Sequence, residues 1–579
     1  MSRICSTLVC EKYSLVAVEP ATGVGRSVGN CDAITTPSPN ARPSRMSGSK
    51  NGASTSRHAS SRTASRASLC ACGGSSSQTG STSTSTAHGT LALDPPFRIA
   101  SVNAATFAAQ LAATSSGAQL LELAGTPTCG VDFYYIKFWT IGGAGETTES
   151  SGALMVPTGA APACSGPRPI VEYAHGTNAD KALNIADITN TSNTEGALIA
   201  AMFAAQGYIV VAPNYAGYDI STLGYHPFLN AVQQSGEMMD ILTAARTALP
   251  NTMTSATSDS GVLFLTGYSE GGHVAMATLR AMQAAGEKVT AAAPMSGPYA
   301  LEALGDVIFF GGVDLGSTEF SPLLANSYQH AYSNVDSSAL PLFSTFFPNA
   351  ETLLPSDTPI DTLFEEGLLP ETALFSSTTP VVAGSAELTA LLGVPPTPAL
   401  PASAQTPIFQ LGFGTPYLIN NDFRVAYAEN ALADPDGAVP TPAAGVPRAA
   451  TEPTFGLRQD FWVNDMRTGW APESPTLLCG GDEDPTVFFS VDTGTMEAYW
   501  SALPAGLVTV LDVGATPSGP FAEVQTAFQA SEAALLAYYQ TAAGGGLTPL
   551  EAAEAVIENY HTDVAPFCTA AARAFFSQF

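Results

Sequence analysis

The sequence has few basic residues for its length. Its 579 residues include 21 Lys and Arg against 50 Asp and Glu, a formal net charge of −29. Residues 1–72 hold nine of the basic and three of the acidic residues, so the remainder has twelve basic and 47 acidic residues and a net charge of −35. A surface this acidic would repel phosphate backbones, which argues against nucleic acid as a partner. The negative charge arises because basic residues are scarce, whereas proteins adapted to high salt usually also have abundant acidic residues. The composition therefore argues against adaptation to high salt.

Long hydrophobic runs are absent as well. No stretch reaches about 18 uninterrupted apolar residues, so the sequence predicts no membrane-spanning helix. Hydrophobic residues nevertheless make up 45% of the chain and charged residues only 12%, which excludes a disordered polyelectrolyte. A chain this long can bury a substantial core, and its length predicts two or more folding units.

Residues 1–91 are rich in Ser, Thr, Arg and Gly and have no periodic apolar pattern, which predicts a disordered leader. Within it, Leu69-Cys70-Ala71-Cys72 is followed by glycines and serines, as in a bacterial lipoprotein processing box with a flexible tether. Such signals need an apolar segment before the cysteine, and SSRTASRAS is not apolar. Either the segment is no signal, or the true start of the chain lies elsewhere and Cys72 carries a lipid anchor.

Four of the nine cysteines lie in the predicted globular part, at Cys129, Cys164, Cys479 and Cys568. Widely spaced single cysteines do not match a zinc site, which takes close pairs. Of the three pairings that four cysteines allow, we favour Cys129–Cys164 and Cys479–Cys568, and four buried free thiols are the alternative. Two disulfides would place the protein in an oxidising compartment, either secreted or in the cell envelope.

From residue 92 onward, apolar strand segments such as RPIVEYA and YIVVAP alternate with helical segments such as ALIAAMFAAQG. Strands that are apolar throughout are typical of a parallel sheet covered by helices on both faces. The sequence therefore predicts an α/β fold with a mostly parallel, doubly wound sheet, built from residues 92–297 and 451–579. Residues 298–450 break the alternation with Pro-, Ala-, Leu- and Thr-rich segments, and we predict that they form an inserted, mainly helical cap or lid.

The segment LTGYSEGGHVA at 265–275 joins a predicted strand directly to a predicted helix through a serine. A lone G-x-S-x-G match is a weak signal, but strand, turn and helix are the context that a nucleophile elbow requires. Gly267, Gly271 and Gly272 allow a sharp, crowded turn, which would raise the Ser269 hydroxyl above the carboxyl ends of the strands. A turn needed only for helix packing would not require a serine at its apex. We therefore predict that Ser269 is a nucleophile.

A serine hydroxyl needs a base to take its proton. Of the seven histidines, only His561 follows all the predicted core strands and precedes a predicted last helix, APFCTAAARAFF. Proteins with this elbow carry serine, acid and histidine in that chain order, which makes His561 the predicted base. His175 falls in a turn at a strand end, and His273 lies one turn into the helix, where a structural role is expected.

The acid should follow the strand after the inserted segment, where GGDEDPTV lies. A turn that presents Asp484 and re-enters the core at Val487 fits this spacing, and Asp482 is the alternative. A calcium loop would need a further ligand that the sequence does not supply. A Cys479–Cys568 disulfide would tie the strand of this acid to the segment beyond His561.

The developing negative charge of an acyl-transfer reaction also needs hydrogen-bond donors. The strand IVEYA ends in His175-Gly176-Thr177, where backbone N–H groups can turn into the site. We predict the N–H groups of Thr177 and Glu270 as the oxyanion donors.

Together these motifs resemble the α/β-hydrolase superfamily and, within it, the secretory-lipase-like branch. The resemblance covers about residues 95–579 and rests on AHGT at 174–177, NYAGYD at 214–219, GYSEGG at 267–272, GDEDPTV at 481–487 and His561. It implies a carboxylesterase or lipase that works through an acyl-enzyme, with no metal or organic cofactor. The apolar cap suggests an ester with a hydrophobic acyl part, or a polyester. A serine peptidase of the same fold and a non-catalytic surface lipoprotein that binds through its cap are the alternatives.

Overall fold

The structure is a computed structural model that describes residues 87–579, apart from 191–192, 252–256, 338, 395–405, 436–449, 451, 468 and 542–545. The predicted leader, including the lipid attachment considered at Cys72, lies outside the described residues except for its last five positions.

The described strands form one nine-stranded sheet and one small two-stranded sheet. In chain order they are β1 Phe97–Val102, β2 Gly130–Ile141, β3 Thr147–Thr158, β4 Gly166–Ala174, β5 Ile209–Pro213, β6 Thr257–Tyr268, β7 Ala291–Met295, β8 Phe375–Ser376, β9 Phe413–Gly414, β10 Thr476–Gly480 and β11 Val508–Asp512. The large sheet has the order β1-β2-β3-β5-β4-β6-β7-β10-β11. Its first three strands run antiparallel to their neighbours, and the six from β5 to β11 are parallel. The prediction of a mostly parallel sheet is confirmed.

The α-helices of the described residues are α1 Ala104–Leu111, α2 Ser115–Ala124, α3 Thr194–Met202, α4 Ala231–Ala248, α5 Glu270–Ala285, α6 Leu301–Phe309, α7 Ser317–Tyr332, α8 Ile360–Glu365, α9 Ala386–Leu391, α10 Thr406–Leu411, α11 Asn421–Ala433, α12 Gly456–Asn464, α13 Thr493–Tyr499, α14 Ala522–Thr541 and α15 Pro549–Phe576.

Both faces of the parallel strands are buried because successive side chains of a strand point to opposite sides. In β4, Ile170 packs in a cluster with residues of α4 and α5, whereas its neighbour Val171 packs in a second cluster with residues of α3 and α15. Leu265 and Phe264 of β6 divide between the same two clusters. The continuous apolar runs of the sequence thus correspond to strands covered on each side by helices.

The chain between β7 and β10 contains α6 to α12 and the small sheet, and it supplies most residues of a separate hydrophobic cluster. A buried ion pair ties two of its helices together: Arg458 of α12 contacts Glu302 at 2.9 Å and Asp306 at 2.8 Å, both in α6. We call this chain segment, residues 296–475, the insertion.

Both favoured disulfides are present, which confirms their predicted pairing. Cys129, just before β2, is joined to Cys164 before β4. Cys479 of β10 is joined to Cys568 of α15. No helix in the described part of the chain is both long and apolar enough to cross a membrane.

The prediction that His561 precedes the last helix was wrong. α15 runs unbroken from Pro549 to Phe576 and contains His561 in its middle. It also contains Pro566, which cannot donate a backbone hydrogen bond within the helix. The helix continues through this position because its apolar face, including Val564 and Phe567, is buried in the main core.

Candidate active site

Ser269 lies at the sharp junction between β6 and α5. Its backbone has φ 59° and ψ −122°, a left-handed conformation that costs a non-glycine residue free energy. The neighbouring glycines are required by close approach: a Cβ on Gly267 would lie 2.3 Å from a backbone oxygen of α5, and one on Gly271 would lie 2.0 Å from the Ala174 oxygen. The turn holds Ser269 at the carboxyl edge of the sheet, where its N–H donates to the Met295 carbonyl at 3.0 Å.

Ser269, His561 and Asp484 form a row of hydrogen-bonded side chains. His561 Nε2 is 2.9 Å from Ser269 Oγ, and His561 Nδ1 is 2.6 Å from Asp484 Oδ2. An ionised carboxylate can only accept, so Nδ1 carries the proton and Nε2 of a neutral imidazole is left to accept from the serine. The row can therefore move the Ser269 proton onto His561.

Sheet register brings these distant residues together. Ala174 of β4 lies opposite Gly267 of β6, and Cys479 of β10 lies opposite Met295 of β7. The turns after β4, β6 and β10 therefore open at the same edge of the sheet, as parallel strands require.

Asp484 is buried and firmly held after β10. Its Oδ1 accepts from the N–H of Thr486 at 2.9 Å and from that of Val487 at 3.0 Å, which leaves Oδ2 for His561. Asp482 on the same turn is exposed, and its Oδ1 lies 3.4 Å from the Tyr560 hydroxyl. Of the two acids that the sequence offered, Asp484 is the one in contact with His561.

Tyr268 holds the helix that carries His561. Its hydroxyl donates to the His561 carbonyl, and its ring centroid is 5.0 Å from that of the imidazole. Burial is the main cause that raises the pKa of Tyr268, so its hydroxyl stays protonated as a donor. The sequence carries no signal for this contact other than the position of Tyr268 beside the serine.

Comparisons with protein-family models and with curated proteins find no match. Among solved structures, the chain is similar to the rice cell wall degrading esterase LipA from Xanthomonas oryzae, at 25% identity and a TM-score of 0.54, over 74% of this chain and 91% of that one. It is also similar to a candidate hydrolase from Legionella pneumophila, at 18% identity and a TM-score of 0.51, over 83% and 96% of the two chains. The protein has the α/β-hydrolase fold. This confirms the sequence resemblance, and the esterase neighbour supports an ester hydrolase.

In this α/β-hydrolase fold, the predicted oxyanion donors Thr177 and Glu270 follow β4 and β6 at the carboxyl edge of the sheet. Both line the same cavity as Ser269. Within the described residues, neither backbone N–H donates to another protein group. The N–H of Gly176, just before Thr177, donates to the Glu195 carboxylate at 3.1 Å, which fixes the turn.

The Glu270 side chain has a separate set of contacts that sequence reasoning missed. Its Oε1 lies 2.7 Å from His226 Nε2 and 2.6 Å from Gln234 Nε2, with the glutamate and histidine fully buried. His226 Nδ1 in turn lies 2.9 Å from the Ala216 oxygen. These contacts hold the first residue of α5, and hence its backbone N–H, beside Ser269.

Other histidines and tyrosines near the carboxyl edge of the sheet form hydrogen bonds that hold the surrounding loops in place. His273 Nε2 lies 2.9 Å from the Asn464 oxygen, and burial lowers its pKa to about 4. The Tyr215 hydroxyl donates to the His175 carbonyl at 3.1 Å, and Tyr218 donates to the Asn178 carbonyl at 2.5 Å. Both tyrosines are fully buried, so they pack beneath the loops at this edge.

A cavity of about 110 Å³ opens on Ser269 between the sheet edge and the insertion. Most of its wall is apolar and comes from the insertion: Pro298, Leu301, Leu304, Ile308, Phe309, Phe320, Leu324, Leu342, Leu374, Ile419, Leu457 and Phe461. The cavity thus offers a hydrophobic group a place directly against the serine.

No group of three or more His, Cys, Asp and Glu side chains with the arrangement of a metal site occurs in the described ranges. The hydrogen-bonded row of Ser269, His561 and Asp484 is suited to proton transfer between side chains.

Proposed function

We propose that the protein is a carboxylic ester hydrolase, an esterase or lipase that works through an acyl-enzyme on Ser269. The observation that carries this proposal is the row of 2.9 Å and 2.6 Å contacts from Ser269 through His561 to Asp484. Ser269 of that row lines a mostly apolar cavity, as a hydrolase for hydrophobic esters requires. The esterase activity of the Xanthomonas oryzae neighbour supports the same class of reaction.

In the first half of the reaction, Ser269 Oγ attacks the ester carbonyl carbon while His561 Nε2 takes its proton. The Asp484 carboxylate stabilises the imidazolium that forms and keeps the imidazole in one orientation. The N–H groups of Thr177 and Glu270 hold the negative carbonyl oxygen, an interaction that strengthens as the charge develops. The tetrahedral intermediate then expels the alcohol, which takes the proton from His561.

In the second half, water attacks the acyl-enzyme and His561 again acts as the base. The carboxylic acid leaves and the Ser269 hydroxyl is restored. Because Tyr268 and the Cys479–Cys568 disulfide both hold the helix of His561, the imidazole keeps its place in both halves.

The substrate that fits this cavity has a hydrophobic acyl group. A volume of about 110 Å³ is small compared with pockets for drug-sized ligands, which span roughly 300–1,000 Å³, so a short or medium acyl chain fits best. A polyester presents its ester bonds one unit at a time and could use the same cavity. We further propose that the insertion acts as the lid of this site and that the protein is secreted or held in the cell envelope, in keeping with its two disulfides.

The test is a substrate profile of the wild type and of Ser269→Ala. p-Nitrophenyl esters from acetate to palmitate, solid polyesters and matched p-nitroanilides separate esterase, polyesterase and peptidase activity. We expect ester hydrolysis that Ser269→Ala lowers by several orders of magnitude, together with Ser269-dependent labelling by a fluorophosphonate. Hydrolysis of anilides in preference to esters would replace the proposal by a peptidase. A wild type that neither hydrolyses esters nor takes the label would refute it.

A further inference from the structure

Asp314 is an acidic residue in the wall of the otherwise apolar cavity. It lies between α6 and α7, is only 7% exposed and lines the same cavity as Ser269. Neither Lys nor Arg lines this cavity in the described part of the chain, so no cation offsets its charge there. The other acidic residue of the lining, Glu270, already has His226 and Gln234 against its carboxylate.

The backbone beside Asp314 is fixed to the turn of the proposed triad acid. The Leu315 N–H donates to the Pro485 carbonyl at 2.9 Å, and Pro485 directly follows Asp484. The Asp484 carboxylate raises the pKa of Asp314, and His561 lowers it when the imidazole is protonated, as expected for a carboxyl close to both. Asp314 is therefore held at a set position relative to the reacting atoms.

The Asp314 carboxyl has little that satisfies it inside the protein. The Ser317 hydroxyl donates to its Oδ1, and the backbone of Asp314 itself supplies the other hydrogen bond that the described residues give this carboxyl. A buried carboxyl that is not fully hydrogen-bonded is costly and calls for an explanation. Burial raises the pKa of Asp314 to about 7, so near neutral pH both its acid and its carboxylate form are present.

We propose that Asp314 binds a hydroxyl group of the substrate, so that the preferred esters carry a hydroxyl on their hydrophobic part. This inference rests on the proposed ester hydrolase function and names the substrate class of that site. A hydroxyl can donate to the carboxylate form and can accept from or donate to the acid form, so it suits either state. An ammonium group would pair only with the carboxylate and would lose its hydration among leucine and phenylalanine side chains, so it fits less well.

The experiment compares kcat/KM for p-nitrophenyl hexanoate with that for its hydroxylated counterparts, one for each chain position, and with an ammonium-bearing analogue. We expect the wild type to prefer at least one hydroxylated ester by roughly 10- to 100-fold, the range for a hydrogen bond to a charged group. In Asp314→Leu this preference should disappear. Asp314→Asn should reduce it to roughly 3- to 10-fold, because neutral hydrogen bonds are about half as strong. Ser321→Ala removes another polar side chain of the cavity wall and should keep the preference of the wild type.

If Asp314 had only a structural role, its variants would be less stable but would keep the wild-type ratio of kcat/KM between hydroxylated and plain esters. An unchanged ratio in Asp314→Asn therefore overturns the proposal, even if Asp314→Leu fails to fold. A wild type that hydrolyses hexanoate but prefers none of its hydroxylated forms, or prefers the ammonium analogue, also overturns it while leaving the ester hydrolase function intact. A wild type inactive on every ester would instead remove the proposed function and this inference together.

Discussion

Replacing Asp484 by Asn should reverse the hydrogen bond that orients His561. Oδ1 of Asp484 accepts from two backbone N–H groups, those of Thr486 and Val487. In Asp484→Asn the amide oxygen must take the place of Oδ1, because an amide nitrogen cannot accept hydrogen bonds from these two N–H groups. The amide NH₂ then lies against His561 Nδ1 and donates to it. The imidazole is driven to carry its proton on Nε2, 2.9 Å from Ser269 Oγ, where it can no longer accept the serine proton.

The expected effect is large on activity and small on stability. The same exchange in a serine protease triad lowers kcat by about 10⁴-fold through the wrong tautomer. That corresponds to about 5 kcal/mol in activation free energy, at about 1.4 kcal/mol for each factor of ten. Steady-state hydrolysis of a p-nitrophenyl ester measures kcat, and denaturant unfolding measures stability. Because Asn has the shape of Asp and keeps both backbone contacts, the free energy of unfolding should change little.

Asp482→Asn is the matched control, since Asp482 lies on the same turn but is exposed and has no hydrogen bond to His561. It should keep the kcat of the wild type. If Asp484→Asn retained more than a tenth of wild-type kcat while Asp482→Asn lost most of it, the assignment of the acid and the tautomer argument would both fail.

Three further predictions concern stability. Gly271→Ala should prevent the elbow from closing, because its Cβ would lie 2.0 Å from the backbone carbonyl oxygen of Ala174 in β4. In the control Gly236→Ala, in α4, the added Cβ meets no atom within 4 Å, and the variant should be more stable by up to about 1 kcal/mol. Thermal unfolding and soluble yield distinguish the two variants. Removing both Cys479 and Cys568 opens a link across 89 residues and should cost roughly 4–5 kcal/mol in denaturant unfolding on the chain-entropy account, and an unchanged midpoint would contradict this. His273 has a folded-state pKa of about 4 against 6.5 for the free group, so the unfolded chain binds its proton first and stability falls as pH drops from about 6.5 to 4, by roughly 3 kcal/mol. In His273→Gln this part of the loss should be missing when unfolding is compared at pH 7 and pH 4.5.

Local signals in the sequence were enough for the sheet and the elbow. Uninterrupted apolar segments such as β5 predict a strand buried on both faces, and all five residues of β5 are buried. The glycines around Ser269 predict close backbone contacts, and the structure has them at Gly267 and Gly271. The even number of cysteines in the globular part left three pairings, of which the favoured one is present.

Local signals failed where burial opposes residue preference. Proline normally belongs in the first turn of a helix, yet α15 passes through Pro566 because the apolar face of the helix is packed in the core. His561 consequently lies within a helix, seven positions before the disulfide-bonded Cys568.

The sequence by itself determined the alternating strands and helices and the serine turn, because each depends on neighbours a few positions away. The base and the acid were predicted from their order along the chain. Tertiary structure alone decided which of two nearby acids meets His561, that Tyr268 donates to a carbonyl 293 positions away, and that Asp314 lines the cavity of Ser269. These contacts depend on how parallel strands align and how the insertion folds back over their carboxyl ends. That alignment arises from the packing of the whole core, and no short stretch of residues encodes it.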